Sequence, residues 1–257
     1  MSTVLLEKHP EGFAILTLNR PDAMNALSRE LRRDFVEAFK DCGQDPAVRV
    51  IILTGQGKAF CAGFDLKELG SNETENTAEE VGNVVAEAMA AFDGPIIGAI
   101  NGHCITGGFE MALACDVLIA SENARFADTH ARVGMLPGWG LSQRLPRLIG
   151  LSRAREIAFT GAPVFAQQAY EWGLVNHVLS AEELLPKAME IARNMCACVP
   201  AVLAGYQALI EEGYSMPLDE ALAWEAERAI AWAQQATGEM IEQRRQDVLA
   251  KGRSEKQ

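Results

Sequence analysis

No stretch of the chain is apolar for long enough to cross a membrane as a helix. The apolar run Pro95–Phe109 ends at Glu110, short of the roughly 20 residues a span needs. Cations are scarce as well. Twenty-three Lys and Arg stand against 35 Asp and Glu, a net charge of −12, which argues against nucleic acid and against anionic membrane surfaces as partners. A phosphorylated ligand stays open, because a few local cations are enough to hold one. The six cysteines, at positions 42, 61, 104, 115, 196 and 198, form no C-x-x-C and no zinc spacing. No metal site is expected, and the close pair Cys196-Ala-Cys198 reads as lining a helix. No N-terminal segment has the order of a signal peptide or the Arg/Ser bias of a transit peptide. A reducing, cytoplasmic setting is therefore expected. Solenoid repeats and low-complexity linkers are also missing. What remains, in 257 residues with 49% hydrophobic and 23% charged side chains, is ordinary for one globular domain.

The stretch Gly94–Ala120, GPIIGAINGHCITGGFEMALACDVLIA, organises the rest. Pro95–Ile100 reads as a buried strand, Asn101-Gly102 as a turn, Phe109–Ala114 as a short helix opened by Gly107-Gly108, and Asp116–Ile119 as another strand. Gly107 at a helix start leaves a backbone N–H without an intrahelical partner. Glu110, three residues on, is a carboxylate on the same face in an apolar segment. A buried carboxylate needs a partner or a raised pKa, and either suits a general acid or base. Two readings stand: a reactive site, or glycines that permit close packing beside a Glu paired with an arginine. Gln56–Leu69, QGKAFCAGFDLKEL, favours the first. It follows the apolar run Val50–Leu53 and supplies a second N–H donor at a loop-to-helix junction, around Phe64. Two such donors converging on one point make an oxyanion hole.

Elsewhere, Val4–Leu6 and Phe13–Leu18 read as strands joined through Pro10-Glu-Gly12. Ser28 caps a helix with Leu31, Phe35, Phe39 and Cys42 at helical spacing. Residues 71–80, SNETENTAEE, read as a polar loop, either simply solvated or a lid, leading into a helix with Val81, Val85, Ala88 and Phe92 inward. Ser121–Pro146 reads mostly as loop, punctuated by Gly134, Pro137, Gly138 and Gly140. Leu151–Thr160 and Ala166–Trp172 read as helices, then Leu174–Val178 as a strand. Ser180-x-x-Glu183 opens a helix with Leu184, Ala188, Ile191 and Met195 on one face. From Pro200 onward the chain reads as helix, with Pro217 at a first helical position, a break at Gly238 and an end near Ala250. Trp224 and Trp232 fall on one face, as core or subunit interface.

FCAGFDLKEL followed by NGHCITGGFEMALACD resembles the crotonase (enoyl-CoA hydratase/isomerase) family, as do LTLNRPDAMNAL and RFADTHARVGMLPGWGLSQRLPRLIG. The resemblance implies an α/β fold, a crotonase-like spiral of ββα units. Residues 1–200 would be the acyl-CoA-binding catalytic core and residues 201–257 a helical C-terminal oligomerisation portion. It implies an acyl-CoA thioester substrate, no separate cofactor, a place in fatty acid metabolism, and a homotrimer or dimer of trimers. By motif position the oxyanion donors are the N–H groups of Phe64 and Gly107. Coenzyme A would lie against Met24–Ala26 and Ala62–Leu66, with Met24, Ala26, Ala62, Asp65 and Leu66 as contacts and Lys58 or Lys67 offsetting phosphate charge. Typical hydratases of the family set two glutamates around one water. The first falls on Glu110, but the position of the second holds His130. A neutral imidazole both donates and accepts a hydrogen bond, so His130 can still orient a water or shuttle a proton. Otherwise it is a loop histidine with a structural bond. Asp128 either orients His130 or caps a turn. Gly138 matches the glycine whose N–H helps hold the water. Trp139 either narrows the acyl pocket or packs beneath the next helix. The expected reaction is addition of water across a 2-enoyl-CoA double bond through a thioester enolate. Double-bond isomerisation, thioester hydrolysis and acyl-CoA binding without turnover are the alternatives.

Overall fold

The structure, a computed structural model, describes residues 2–70, 83–235 and 237–254. The strands are β1 (Val4–Lys8), β2 (Phe13–Leu18), β3 (Val50–Gly55), β4 (Ala59–Cys61), β5 (Ile96–Ile100), β6 (His103–Ile105), β7 (Val117–Ser121), β8 (Arg125–Ala127), β9 (Val164–Phe165) and β10 (His177–Leu179). The helices up to residue 196 are α1 (Arg29–Gln44), α2 (Leu66–Leu69), α3 (Val84–Ala90), α4 (Gly107–Leu113), α5 (His130–Val133), α6 (Leu141–Ile149), α7 (Leu151–Thr160), α8 (Ala166–Glu171) and α9 (Ala181–Cys196). Then come α10 (Pro200–Gly213), α11 (Leu218–Ala233) and α12 (Gly238–Ser254).

Two sheets share the chain. The larger runs β1-β2-β3-β5-β7-β10 and the smaller β4-β6-β8-β9. Three times in succession a long buried strand hands over to a short strand in the other sheet and then to a short helix: β3-β4-α2, β5-β6-α4 and β7-β8-α5. The long strands pair in parallel, Ile51 opposite Ile96 and Ile97 opposite Val117. The short ones do the same, His103 opposite Ala59 and Arg125. This is the expected ββα spiral. It lines up the ends of the short strands, and so the turns that carry Phe64, Gly107 and His130.

Both faces of the large sheet are buried, which is why its parallel strands read as continuous apolar runs. On one face Ile51, Leu53, Ile100 and Ala120 meet Leu31, Phe35 and Phe39 of α1. On the other, Phe13, Val50, Ile52 and Ile97 meet Leu184, Ala188, Ala192 and Cys196 of α9. Ser28 caps α1 as expected, its Oγ accepting the Leu31 N–H at 3.1 Å.

Several expectations change. Ser121–Pro146 is not mostly loop: it holds β8, α5 and the first part of α6. Pro146 removes one intrahelical bond, yet α6 forms because Leu141, Leu145 and Ile149, four apart, are all buried. The strand expected at Leu174–Val178 is His177–Leu179, since Leu174 and Val175 pack into the core instead. The fully buried stripe of α9 runs Leu184, Ala188, Ala192, Cys196, and the expected Ile191 and Met195 are half-buried beside it, packed against the same cluster. Pro217 is the cap of α11 rather than its first residue, and α12 begins at Gly238 and reaches Ser254. The loop at residues 71–80, and Val81 after it, lie outside the described residues; α3 buries Val85 and Met89. The chain divides into two compact units, Met1–Leu203 and Ala204 onward.

Candidate active site

The helix α4 is buried along its whole length. Its entry is tight. Thr106 precedes it at φ +52°, ψ −109°, a conformation that a β-branched residue adopts only when its surroundings force it. The forcing contacts are visible. Thr106 N–H donates to Ala127 O at 2.8 Å, and its hydroxyl meets that of Thr129 and accepts the Thr129 N–H at 3.1 Å. The β6–α4 turn is thus tied to the turn that carries His130. The β4–α2 turn approaches from the other side. Gly63 has φ +87°, and a Cβ there would lie 3.0 Å from Ile105 O and 3.2 Å from Gly107 N. Only glycine lets these two turns come so close. As a result Phe64 and Gly107 are neighbours, a Cβ on Gly107 lying 3.7 Å from Phe64 Cδ2. Neither backbone N–H has a partner among the described residues.

Next to these donors stand three titratable groups, all buried: Glu110 is 2% exposed, Asp128 3% and His130 7%. Glu110 Oε1 accepts the backbone N–H of Trp139 at 2.7 Å and of Leu141 at 3.4 Å. Its Oε2 faces His130 Nε2 at 3.6 Å, an ion-pair contact longer than a good hydrogen bond. On the far side of the ring, His130 Nδ1 lies 2.7 Å from Asp128 Oδ1, which also accepts the His130 backbone N–H at 3.0 Å. Burial opposes charge on the imidazole, but the carboxylates of Asp128 and Glu110 outweigh it and lift His130 to about 9. At neutral pH it is therefore an imidazolium between two carboxylates.

These groups open onto a cavity of about 480 Å³, counting open space at its mouth. Ala62, Phe64, Leu66, Glu110, His130 and Gly138 line it, together with Trp139, whose indole packs against the Phe64 ring at 5.2 Å between centroids. Trp139 thus both narrows the cavity and packs. Met24, Ala26 and Asp65 do not line it. Met24 O accepts the Ala62 N–H at 3.1 Å and Leu27 N–H donates to Gly63 O at 2.8 Å, so residues 24–27 run beside residues 62–65. Asp65 pairs with Arg20 at 3.1 Å and caps α2 through the Lys67 N–H. Arg20 also donates to Ala26 O at 2.5 Å. Gly138 is at the cavity, but the N–H that reaches Glu110 belongs to Trp139.

Some participants are missed by reading the sequence. Buried Asn25, at φ +55°, clamps the 24–27 loop by donating to Gln56 O and Ala59 O. Nothing in the sequence marks Thr106 and Thr129 as partners. The glycines around Trp139 mark a turn there without saying which N–H would point inward. Among the described residues no cluster of His, Cys, Asp or Glu is arranged to hold a metal ion.

A spiral of ββα units with two unpaired N–H donors beside a buried carboxylate defines an acyl-thioester enzyme of the crotonase type. The chain belongs to the enoyl-CoA hydratase/isomerase family, whose model matches residues 8–245. It is 43% identical over 210 residues to a probable peroxisomal enoyl-CoA hydratase 1 of Arabidopsis thaliana, covering 82% of this chain and 79% of that one. A crotonyl-CoA hydratase of Syntrophomonas wolfei is 39% identical over 192 residues, 74% of each chain. Among solved structures, an enoyl-CoA hydratase subunit of Geobacillus kaustophilus superposes with a TM-score of 0.82 at 34% identity, covering 90% of both chains.

Proposed function

We propose that the protein is an enoyl-CoA hydratase that adds water across the double bond of a 2-enoyl-CoA thioester. The observation that carries this reading is the pair Glu110–His130, 3.6 Å apart, beside the N–H groups of Phe64 and Gly107. The thioester carbonyl oxygen accepts both N–H groups, and as water adds to the β-carbon the electron pair of the double bond moves to that oxygen, forming the enolate. Two fixed dipoles aimed at a developing oxyanion are typically the largest single contribution to such a step. Glu110 takes the water proton on Oε2. The N–H groups of Trp139 and Leu141 hold Oε1 and so fix where Oε2 points. The His130 imidazolium gives its Nε2 proton to the α-carbon. Glu110 then holds one extra proton and His130 lacks one, and transfer across their contact restores both. The net change is one water added.

Coenzyme A is assigned to residues 24–26 and 62–66; the reading is supported by Ala62, Phe64 and Leu66 lining the cavity and by the 24–27 segment running beside 62–65, away from the cavity wall. It arrives with the substrate, and no separate cofactor takes part. A trimer or dimer of trimers, assembled in part through residues 201–257, is supported by the exposed apolar side chains there, such as Tyr206, Ile210, Tyr214 and Leu222. A cytoplasmic site of action agrees with the fact that no described helix is long and apolar enough to cross a membrane.

The test is crotonyl-CoA with wild type and Glu110→Gln, followed as loss of enoyl-thioester absorbance with the product identified by mass. Wild type should yield the 3-hydroxyacyl thioester, and Glu110→Gln should lose about 10²–10⁴ in rate. Release of free thiol or a shifted double bond, in place of a product 18 mass units heavier by one water, would replace this reading with hydrolysis or isomerisation.

A further inference from the structure

The β6–α4 and β8–α5 turns lead to the Gly107 N–H and to His130. They leave neighbouring parallel strands, with Ile105 opposite Ala127. The ladder ends with the Thr106 N–H donating to Ala127 O at 2.8 Å. Beyond that point side chains carry the pairing on. The hydroxyl oxygens of Thr106 and Thr129 lie 2.5 Å apart, and that of Thr106 also accepts the Thr129 N–H at 3.1 Å. Both threonines are half-buried and line the same cavity as Glu110 and His130.

What this contact holds is a backbone conformation. Thr106 has φ +52° and ψ −109°, values that belong to the first central position of a type II′ turn, where glycine dominates. Its ψ sets the direction of the peptide that joins it to Gly107. The oxygen of that peptide, Thr106 O, accepts the Glu110 N–H at 2.9 Å. In a trans peptide the N–H points away from the oxygen, so the Gly107 N–H points out of the helix start. A β-branched residue left to itself would relax out of this conformation, and the Gly107 N–H would turn with it. Thr129 stands one residue before His130, so the same contact also sets the spacing between the oxyanion donor and the imidazole. That spacing matters because the thioester carbonyl and the α-carbon that takes the proton are bonded to each other. We infer that Thr106 and Thr129 are positioning residues: their hydroxyl contact holds Thr106 in a glycine-like turn, and so aims the Gly107 N–H at the thioester oxygen at a fixed distance from His130. The inference rests on the thioester reading above.

The test is a double-mutant cycle on Thr106→Gly and Thr129→Val, with Thr129→Ser as the conservative variant. Glycine adopts the Thr106 conformation without help, so it removes the need for the contact. Thr129→Val removes the hydroxyl and keeps the branched shape. Two quantities are read: kcat and KM for crotonyl-CoA, and the infrared carbonyl stretch of bound butyryl-CoA, isotopically labelled at the thioester carbon, which needs no turnover. Thr129→Val should lower kcat about 10–100-fold, since a misaimed donor loses much of what an oxyanion donor supplies, with KM within about twofold. Its bound carbonyl should absorb closer to the free thioester than in wild type. Thr129→Ser should match wild type in both. Thr106→Gly alone should stay within about fivefold of wild type, and in that background Thr129→Val should cost no more than about a further twofold. Thr129→Ala is read in the same way if Thr129→Val does not fold. A folded Thr129→Val with the wild-type kcat and carbonyl frequency would overturn the inference. So would a folded but inactive Thr106→Gly. So would an equal loss from Thr129→Val in both backgrounds, because the hydroxyl would then act on the ligand directly. So would a fall in kcat with an unmoved carbonyl frequency, because the oxyanion donor would then be in place. Failure of the hydration reading is separable: wild type would leave crotonyl-CoA unchanged, yet the carbonyl shift and its dependence on Thr129 would persist.

Discussion

At His130, two carboxylates decide which chemical form an imidazole takes. A histidine in water is mostly neutral at pH 7, and burial alone would push it further that way. Asp128 Oδ1 accepts the backbone N–H of His130 and lies 2.7 Å from its Nδ1, so the ring is held in orientation and its charged form is favoured. The proposed mechanism uses this arrangement: His130, at the position where the family resemblance expects a second carboxylic acid, would deliver the proton. With Asp128→Asn the charge that favours the imidazolium is gone. The His130 titration, followed by NMR, should move from about 9 back toward the ordinary range, and kcat should fall while KM for crotonyl-CoA changes little. The same shift has a consequence for stability. The folded-state pKa lies above that of the unfolded chain, so the contribution is complete below about pH 6.5 and is lost as pH rises through about 9. Thermal melts between pH 7 and pH 10 should therefore show wild type losing Tm faster than His130→Gln. Parallel losses would mean that the imidazolium adds nothing to the fold.

At the scale of elements, the site depends on short helices that would not form alone. The seven residues of α4 are held by the turn at Thr106 before it and by Arg144, whose Nη1 donates to Leu113 O at 3.1 Å after it. It also packs hard against β4: a Cβ on Gly108 would lie 2.2 Å from Cys61 O, a backbone atom with nowhere to move. Gly108→Val should therefore displace α4, and activity should fall far more than global stability, read by comparing turnover with urea midpoints. Ser28→Ala, by contrast, removes one cap from a sixteen-residue helix and should cost about 1 kcal/mol with activity unchanged. These elements differ in how openly the sequence announces them. The strands β2, β3, β5 and β7 are legible because buried parallel strands are apolar throughout. Ser28 and the spacing of Leu31, Phe35 and Phe39 announce α1. The helix α6 is hidden by Pro146 and the glycines before it, and exists because tertiary packing buries Leu141, Leu145 and Ile149. The site divides the same way. Glu110 and His130 stand out by motif position. The Thr106–Thr129 contact, the Asn25 clamp and the inward Trp139 N–H follow from how separate turns are brought together, which no local pattern encodes. The spiral itself was legible through family resemblance; periodicity supplies the strands and helices but not their winding.

For the whole molecule, the second unit carries an imbalance. No residue of α11 is buried, although Leu218, Leu222, Ile230 and Trp232 are all on it. Apolar side chains left on so much surface are what the proposed association face would require. Light scattering at micromolar concentration should give three or six times the 27.9 kDa chain mass, and Leu222→Glu with Ile230→Glu should lower it. A wild-type monomer would remove the oligomer from the account and leave the chemistry of the first unit standing.

That chemistry is tested most directly by the pH dependence of kcat/KM for crotonyl-CoA in wild type and in His130→Ala. If Glu110 and His130 act as base and acid, wild type should lose activity on the alkaline side near pH 9, where the imidazolium deprotonates. His130→Ala, which keeps Glu110 and the two N–H donors, should be slower by about 10²–10⁴ and lack that alkaline limb. A His130→Ala enzyme with the wild-type rate and the wild-type profile would contradict the account, leaving His130 a structural residue and Glu110 to work without it.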